Sequence, residues 1–151
     1  MCKNRKIYDI LILQNNFNDG LPENYANCSS LERLRVSNNS LSGKIPDGIW
    51  SLSRLKLIDL AMNQFKGPVT GNIGEAKSLA HLFVSNNLFF GELPEEISNV
   101  SFLVEMELMY NQLSGGIPVR IGELKNLNKL HLEGNLFFPV GFQNLLVHVF
   151  L

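Results

Sequence analysis

The sequence predicts an α/β-type solenoid, a right-handed superhelix with a parallel strand ladder on its concave face and short or 3-10 helical segments on its convex side. Three observations predict it. Six asparagines recur at Asn16, Asn39, Asn63, Asn87, Asn111 and Asn135, with a first step of 23 and then steps of 24. Apolar residues stand eight, five and three positions before each asparagine, and usually two after it. A Gly and then a Pro follow in most units. A fixed period of this length marks a repeat architecture: one unit cannot bury its apolar side alone, and stacking buries a shared core.

The second unit carries the frame in full, with Leu31, Leu34, Val36, Asn39, Leu41, Gly43, Ile45 and Pro46. Its Leu-x-Val pair has period two and predicts a short strand with one buried face. The asparagine turns the chain, and its amide can bond backbone groups of the neighbouring coil. The Gly-x-Ile-Pro stretch cannot continue a helix or a central strand, so it predicts an irregular outer arc. The third unit has Leu55, Ile58, Leu60, Phe65, Gly67 and Val69, with Thr70 where Pro is expected. The fourth has Leu79, Leu82, Val84, Phe89, Gly91, Leu93 and Pro94, and the fifth Leu103, Met106, Leu108, Leu113, Gly115, Ile117 and Pro118. The first unit starts at Tyr8 and is expected to lack one residue near Asn16 and Phe17. The sixth starts at Leu127 and fades after Phe137.

Residues 1–137 therefore form one solenoid of about six repeats, expected to be uncapped at the N-terminus, and residues 138–151 form a degenerate apolar tail. A solenoid end needs a cover over its open core. The tail either folds over that end as a lid or is a truncated gene end without a role.

Composition narrows the function classes. The chain has 151 residues, 45% apolar and 18% charged, with net charge -1. That composition suits a globular chain and gives no basic surface for nucleic acid. No secretory leader or membrane-spanning run is expected: the N-terminal charges precede no apolar core, and the stretch 136–151 is interrupted and short for a bilayer. Cys2 and Cys28 have no zinc-site spacing; Cys28 takes an inward position that suits a buried thiol, and a bridge to Cys2, one coil earlier, is geometrically possible.

The residues beside the strand leucines face concave solvent in two predicted columns. One is Ile10, Arg33, Leu57, His81, Glu105 and Lys129; the next is Ile12, Arg35, Asp59, Phe83, Glu107 and His131. Arg33 and Arg35 are two apart on one strand, so both side chains leave the same face. Two adjacent guanidinium forks can hold one carboxylate with charge-assisted, bidentate bonds, although exposed arginines are also commonly just solvated charge. Asp59, His81, Phe83, Glu105, Glu107 and His131 are candidate partner contacts. Glu105 and Glu107 are expected to be exposed acids without a cleft, hence no catalytic acid/base pair. Phe83, Met109 and Tyr110 add apolar patches.

Other signals are weaker. Asn27, Asn38 and Asn99 begin glycosylation triplets; Asn38 lies near the binding face, which leaves Asn99 as the favoured site. Gly71–Ser78 nearly spells a phosphate loop, but Ala76 replaces the glycine before Lys77 and the repeat frame already accounts for the stretch. His81, His131 and His148 have no Ser or Cys partner at a recognisable spacing. No catalytic residue, metal site or cofactor is expected.

The frame Leu-x-x-Leu-x-Leu-x-x-Asn-x-Leu-x-Gly-x-Ile-Pro resembles the plant-specific class of leucine-rich repeat found in receptor-like kinases and receptor-like proteins. Asn27-Cys28-Ser29-Ser30-Leu31, Arg33–Asn39 and Gly48-Ile49-Trp50 resemble the HAESA and HAIKU branch of receptor kinases, with the HAIKU type the most similar. The resemblance covers residues 1 to about 137. It implies part of a secreted ectodomain, at the extracellular face of the plasma membrane, that binds a small secreted peptide along the concave face and then a somatic-embryogenesis-type co-receptor. The membrane span and intracellular Ser/Thr kinase of such a parent have no counterpart in this sequence. In that branch the matching Arg-x-Arg pair grips the free carboxylate at the peptide's C-terminus, which gives Arg33 and Arg35 that role. Two other readings stay open: a secreted interaction protein of the enzyme-inhibitor kind, whose terminal cysteine caps are missing here, and a truncated, non-functional gene product.

Overall fold

The computed structural model describes Cys2, residues 4–138 and the backbone of residues 148–150. Its elements run β1 (Asp9–Leu11), β2 (Arg33–Arg35), β3 (Ser42–Gly43), α1 (Asp47–Trp50), β4 (Leu57–Asp59), β5 (Gln64–Gly67), β6 (His81–Phe83), β7 (Leu88–Glu92), β8 (Glu105–Glu107), β9 (Gln112–Gly115), β10 (Lys129–His131), β11 (Leu136–Phe137) and β12 (His148–Phe150). Four 3-10 helices, Glu23–Asn27, Gly71–Glu75, Glu95–Asn99 and Val119–Glu123, lie with α1 between successive strand sets. No helix among the described residues is long and apolar enough to cross a membrane.

The principal sheet is a parallel ladder in the order β1-β2-β4-β6-β8-β10-β12. Each coil presents its strand in register with the next, as in Arg33↔Leu57 and Leu57↔His81. The predicted solenoid with its strand ladder and short helical outer side is what the chain forms. The tail adds β12 beside β10, with Lys129 opposite His148. The rest of the tail, residues 139–147 and 151, lies outside the described residues, so the lid reading has no structural account beyond that strand.

The core follows the period of 24. Leu34, Ile58, Leu82, Met106 and Leu130 stack behind the ladder with no solvent exposure, and Leu31, Leu55, Leu79 and Leu103 form a second such row. Stacking removes apolar area from water in every coil but the end ones, which is the main stabilising term of such a fold.

The asparagines bind one coil to the next. The amide of Asn87 donates to the carbonyls of Leu60 (3.0 Å), Val84 (3.1 Å) and Ser85 (3.2 Å), and its oxygen accepts the Phe65 N–H (2.9 Å). Asn39, Asn63 and Asn111 repeat the pattern. The Leu60 bond reaches 27 residues back and the Phe65 bond 22, while the Val84 and Ser85 bonds stay within the coil, so one side chain ties two coils together.

Two expectations are corrected here. The Gly-x-Ile-Pro arc is not wholly irregular: the residues leading into it form a second parallel sheet, β11-β9-β7-β5-β3. Each asparagine oxygen holds a backbone N–H at the start of this run, and the glycines Gly43, Gly67, Gly91 and Gly115 take φ between 77° and 99°, which bends the chain out of the strand. The first unit lacks no residue. Asn15, not Asn16, bonds the Ile12 and Leu13 carbonyls, and Asn39 reaches back to Ile12. The period is thus 24 from Asn15 onward, and adjacent asparagines had concealed it.

Candidate functional site: the ladder face

The corrected phase changes the two solvent columns at their first member. Ile10 pairs with Leu34 and is buried at 4% exposure, so it belongs to the core; Ile12 is half-buried and packs on that core. Asp9 and Leu11, which pair with Arg33 and Arg35, take their places. The first column is therefore Asp9, Arg33, Leu57, His81, Glu105 and Lys129, and the second Leu11, Arg35, Asp59, Phe83, Glu107 and His131.

Arg33 and Arg35 flank the buried Leu34 and leave β2 on one face, as their spacing predicts. Each is already engaged. Arg33 grips Asp9 with Nε and Nη2, both at 2.7 Å. Arg35 donates Nε (3.3 Å) and Nη2 (3.2 Å) to one oxygen of Asp59, which also accepts the Ser37 hydroxyl at 2.8 Å. The Asp9 bonds hold that carboxylate below its ordinary pKa and raise that of Arg33. Among the described residues neither arginine bonds through Nη1, so each guanidinium keeps that donor edge while its partner fixes its orientation. Asp9 was missed by sequence reasoning because the one-residue phase error placed Ile10 in its column. Asp59 acts first as an internal partner.

The other candidates form an acidic centre three coils on. Glu105 accepts Lys129 Nζ at 2.9 Å and stands 3.6 Å from His81 Nδ1. The His81 ring leans on Phe83, with centroids 5.8 Å apart. Glu105 and Glu107 are half-buried, not exposed as expected, because the side chains of adjacent coils crowd a ladder only about 4.8 Å in pitch. Burial pushes the Glu107 pKa up, the Glu105 charge adds to the rise, and His131 and Lys129 oppose it. Along the face, Arg33 and Arg35 with their aspartates come first, Leu57 and Phe83 follow, and Glu105 and Glu107 come next, before Lys129 and His131.

A groove of about 780 Å³ opens beside the first column, lined by Arg33, Leu57, Ala80, His81, Phe102 and Val104 among others. Phe102 is 63% exposed at its edge. Apolar walls with a few polar groups at the rim suit an inserted side chain. Lys77 of the near phosphate loop donates its ammonium to the Gly74 carbonyl within that loop.

The glycosylation candidates Asn27 and Asn99 end 3-10 helices on the outer side, and Asn38 sits at the turn after β2; all three are exposed.

The leucine-rich repeat family model matches residues 30–52 and 78–100. No curated protein sequence matches the chain. Among solved structures, the leucine-rich-repeat ectodomain of the Arabidopsis thaliana receptor kinase GASSHO1/SCHENGEN3, solved with CASPARIAN STRIP INTEGRITY FACTOR 2, is 33% identical with a TM-score of 0.86 over 92% of this chain. The chain spans 17% of that ectodomain's length. The BIR3–SERK2 complex from Arabidopsis thaliana is 31% identical (TM-score 0.78), with 91% of this chain and 72% of that one covered. The plant peptide hormone receptor RGFR1 with RGF2 is 29% identical (TM-score 0.65), with 85% and 24% covered. The chain is a leucine-rich repeat solenoid with the architecture of plant receptor ectodomains.

Proposed function

We propose that this chain is a ligand-binding segment of a plant receptor-kinase ectodomain of the HAESA and HAIKU type, which senses a small secreted peptide at the outer face of the plasma membrane. The observation that carries this reading is the Arg33–Arg35 pair on one strand of a ladder shared with peptide-bound receptors. The peptide's terminal carboxylate bridges the two Nη1 edges, while Asp9 and Asp59 hold the guanidinium planes in place. Pre-oriented donors lose less freedom on binding than mobile ones. The peptide backbone reaches this pair from the β1 side of the ladder, its C-terminal residue ending at β2. A co-receptor ectodomain, of the kind seen in the BIR3–SERK2 complex, docks against the ladder's rim. Asp59, His81, Phe83, Glu105, Glu107 and His131, on the coils after the pair, are the residues offered to that partner.

The test compares short random-sequence peptides with a free C-terminal carboxylate against the same pool amidated, panned on the chain and on its Arg33→Ala/Arg35→Ala variant. Enrichment of free acids by the parent alone supports the reading. Equal retention of acid and amide sinks it.

A further inference from the structure

The ladder face leaves a second cluster unexplained. On the flank before β2, the chain's period sets residues side by side in two columns: Lys6, Ser30 and Arg54, and Arg5, Ser29 and Ser53. They line a cavity of about 660 Å³ together with Cys2 and Asn4. The lining has three cations, three hydroxyls and an amide, and no carboxylate. Arg33, Arg35, Lys56 and Lys129 each pair with an acid, whereas Arg5, Lys6 and Arg54 have no ion pair among the described residues. Three like charges converging on one cavity repel, and an anion relieves that cost.

The cavity wall is tied in place. Cys2 is bridged to Cys28, with Cα atoms 5.1 Å apart, and this holds the arm that carries Asn4, Arg5 and Lys6 against the next coil. The Ser30 hydroxyl donates to the Ile7 carbonyl at 2.8 Å and fixes the arm's other end, leaving its oxygen lone pairs toward further donors.

We propose that this flank pocket binds a multiply charged oxyanion, two or three carboxylate, phosphate or sulfate groups on one molecule. Arg5 and Arg54 give planar forks for its oxygens, Lys6 a point charge, and Ser29, Ser53 and Asn4 donors for remaining lone pairs. The volume is in the range of pockets that hold small organic ligands, so a single inorganic anion leaves it part empty. The site is separate from the ladder face and stands or falls without the peptide reading.

Titration calorimetry of the full chain with citrate, pyrophosphate and sulfate tests it. Citrate or pyrophosphate binds once per chain, more tightly than sulfate, with affinity falling as salt rises. Whichever of the first two binds better distinguishes carboxylate from phosphate chemistry. Arg54→Gln, at an exposed position, lowers the affinity at least tenfold, and Cys2→Ser lowers it by freeing the arm; Lys44→Gln, with the same charge change beside Gly67, leaves it unaltered. No binding of any probe at low salt, or an Arg54→Gln chain that binds as the parent does, overturns the proposal.

Discussion

Arg35 and Asp59 form an ion pair of unequal burial: the arginine side chain is 42% exposed and the carboxylate 8%. The asymmetry decides which partner the fold can lose. Removing the guanidinium strands a charge that is nearly out of water, whereas removing the carboxylate leaves a cation that solvent can reach.

Arg35→Gln should therefore destabilise the chain by about 1–3 kcal/mol, a value below that of a fully buried pair because the arginine is partly solvated. Arg33→Gln, whose partner Asp9 lies in solvent, should cost clearly less. Urea midpoints of the two variants measure the difference, and equal midpoints contradict this account.

Asn87→Ala removes one donor group and one acceptor that serve two coils at a nearly dry position. It leaves the Phe65 N–H unpaired and the Leu60 carbonyl with the Asn63 amide as its remaining side-chain donor, at a cost of about 1–3 kcal/mol. Asn15→Ala, at an exposed position where water replaces the amide, should be nearly silent. Thermal unfolding of both variants checks the contrast.

Glu107 predicts a pH dependence whose sign follows from its raised pKa. The folded chain holds that proton more tightly than the unfolded one, so this contribution is full below the ordinary value of 4.5 and is lost as pH rises through the higher folded value. Glu107→Gln should flatten the fall in urea midpoint over that window and stabilise the chain at neutral pH. A variant with the parent's slope removes Glu107 as the cause.

Reduction of the Cys2–Cys28 bridge opens a loop with a sequence separation of 26. Loop-closure entropy puts the loss at about 3.5 kcal/mol. Unfolding with and without a reductant measures it. Cys28 has no exposure, so the free thiol stays in the core and the loss concentrates in the first coil.

An isolated chain should bind a receptor peptide only feebly. The six steps of the seven-stranded ladder span about 29 Å, room for about nine extended residues. Calorimetry giving sub-micromolar affinity for the chain alone would falsify that length argument.

The repeat was legible because each buried position recurs every 24 residues, and five correct phases outvote one ambiguous one. At the first coil the vote failed, since Asn15 and Asn16 both fit; the Asn15 bonds to the Ile12 and Leu13 carbonyls, the Asn39 bond to Ile12 and the register of β1 on β2 choose between them. That single residue of phase moved Asp9 out of view. A period-two strand turns every side chain over when its register slips by one.

By itself the sequence determined the solenoid, the strand face that carries Arg33 and Arg35, and the row of asparagines between coils, because all three follow from periodicity along one chain. Only the tertiary structure decided which charges meet. Asp9 lies 24 residues before Arg33 and Asp59 24 after Arg35. Such pairings depend on how coils stack, on which way a long side chain leans, and on how much water the neighbouring coil excludes.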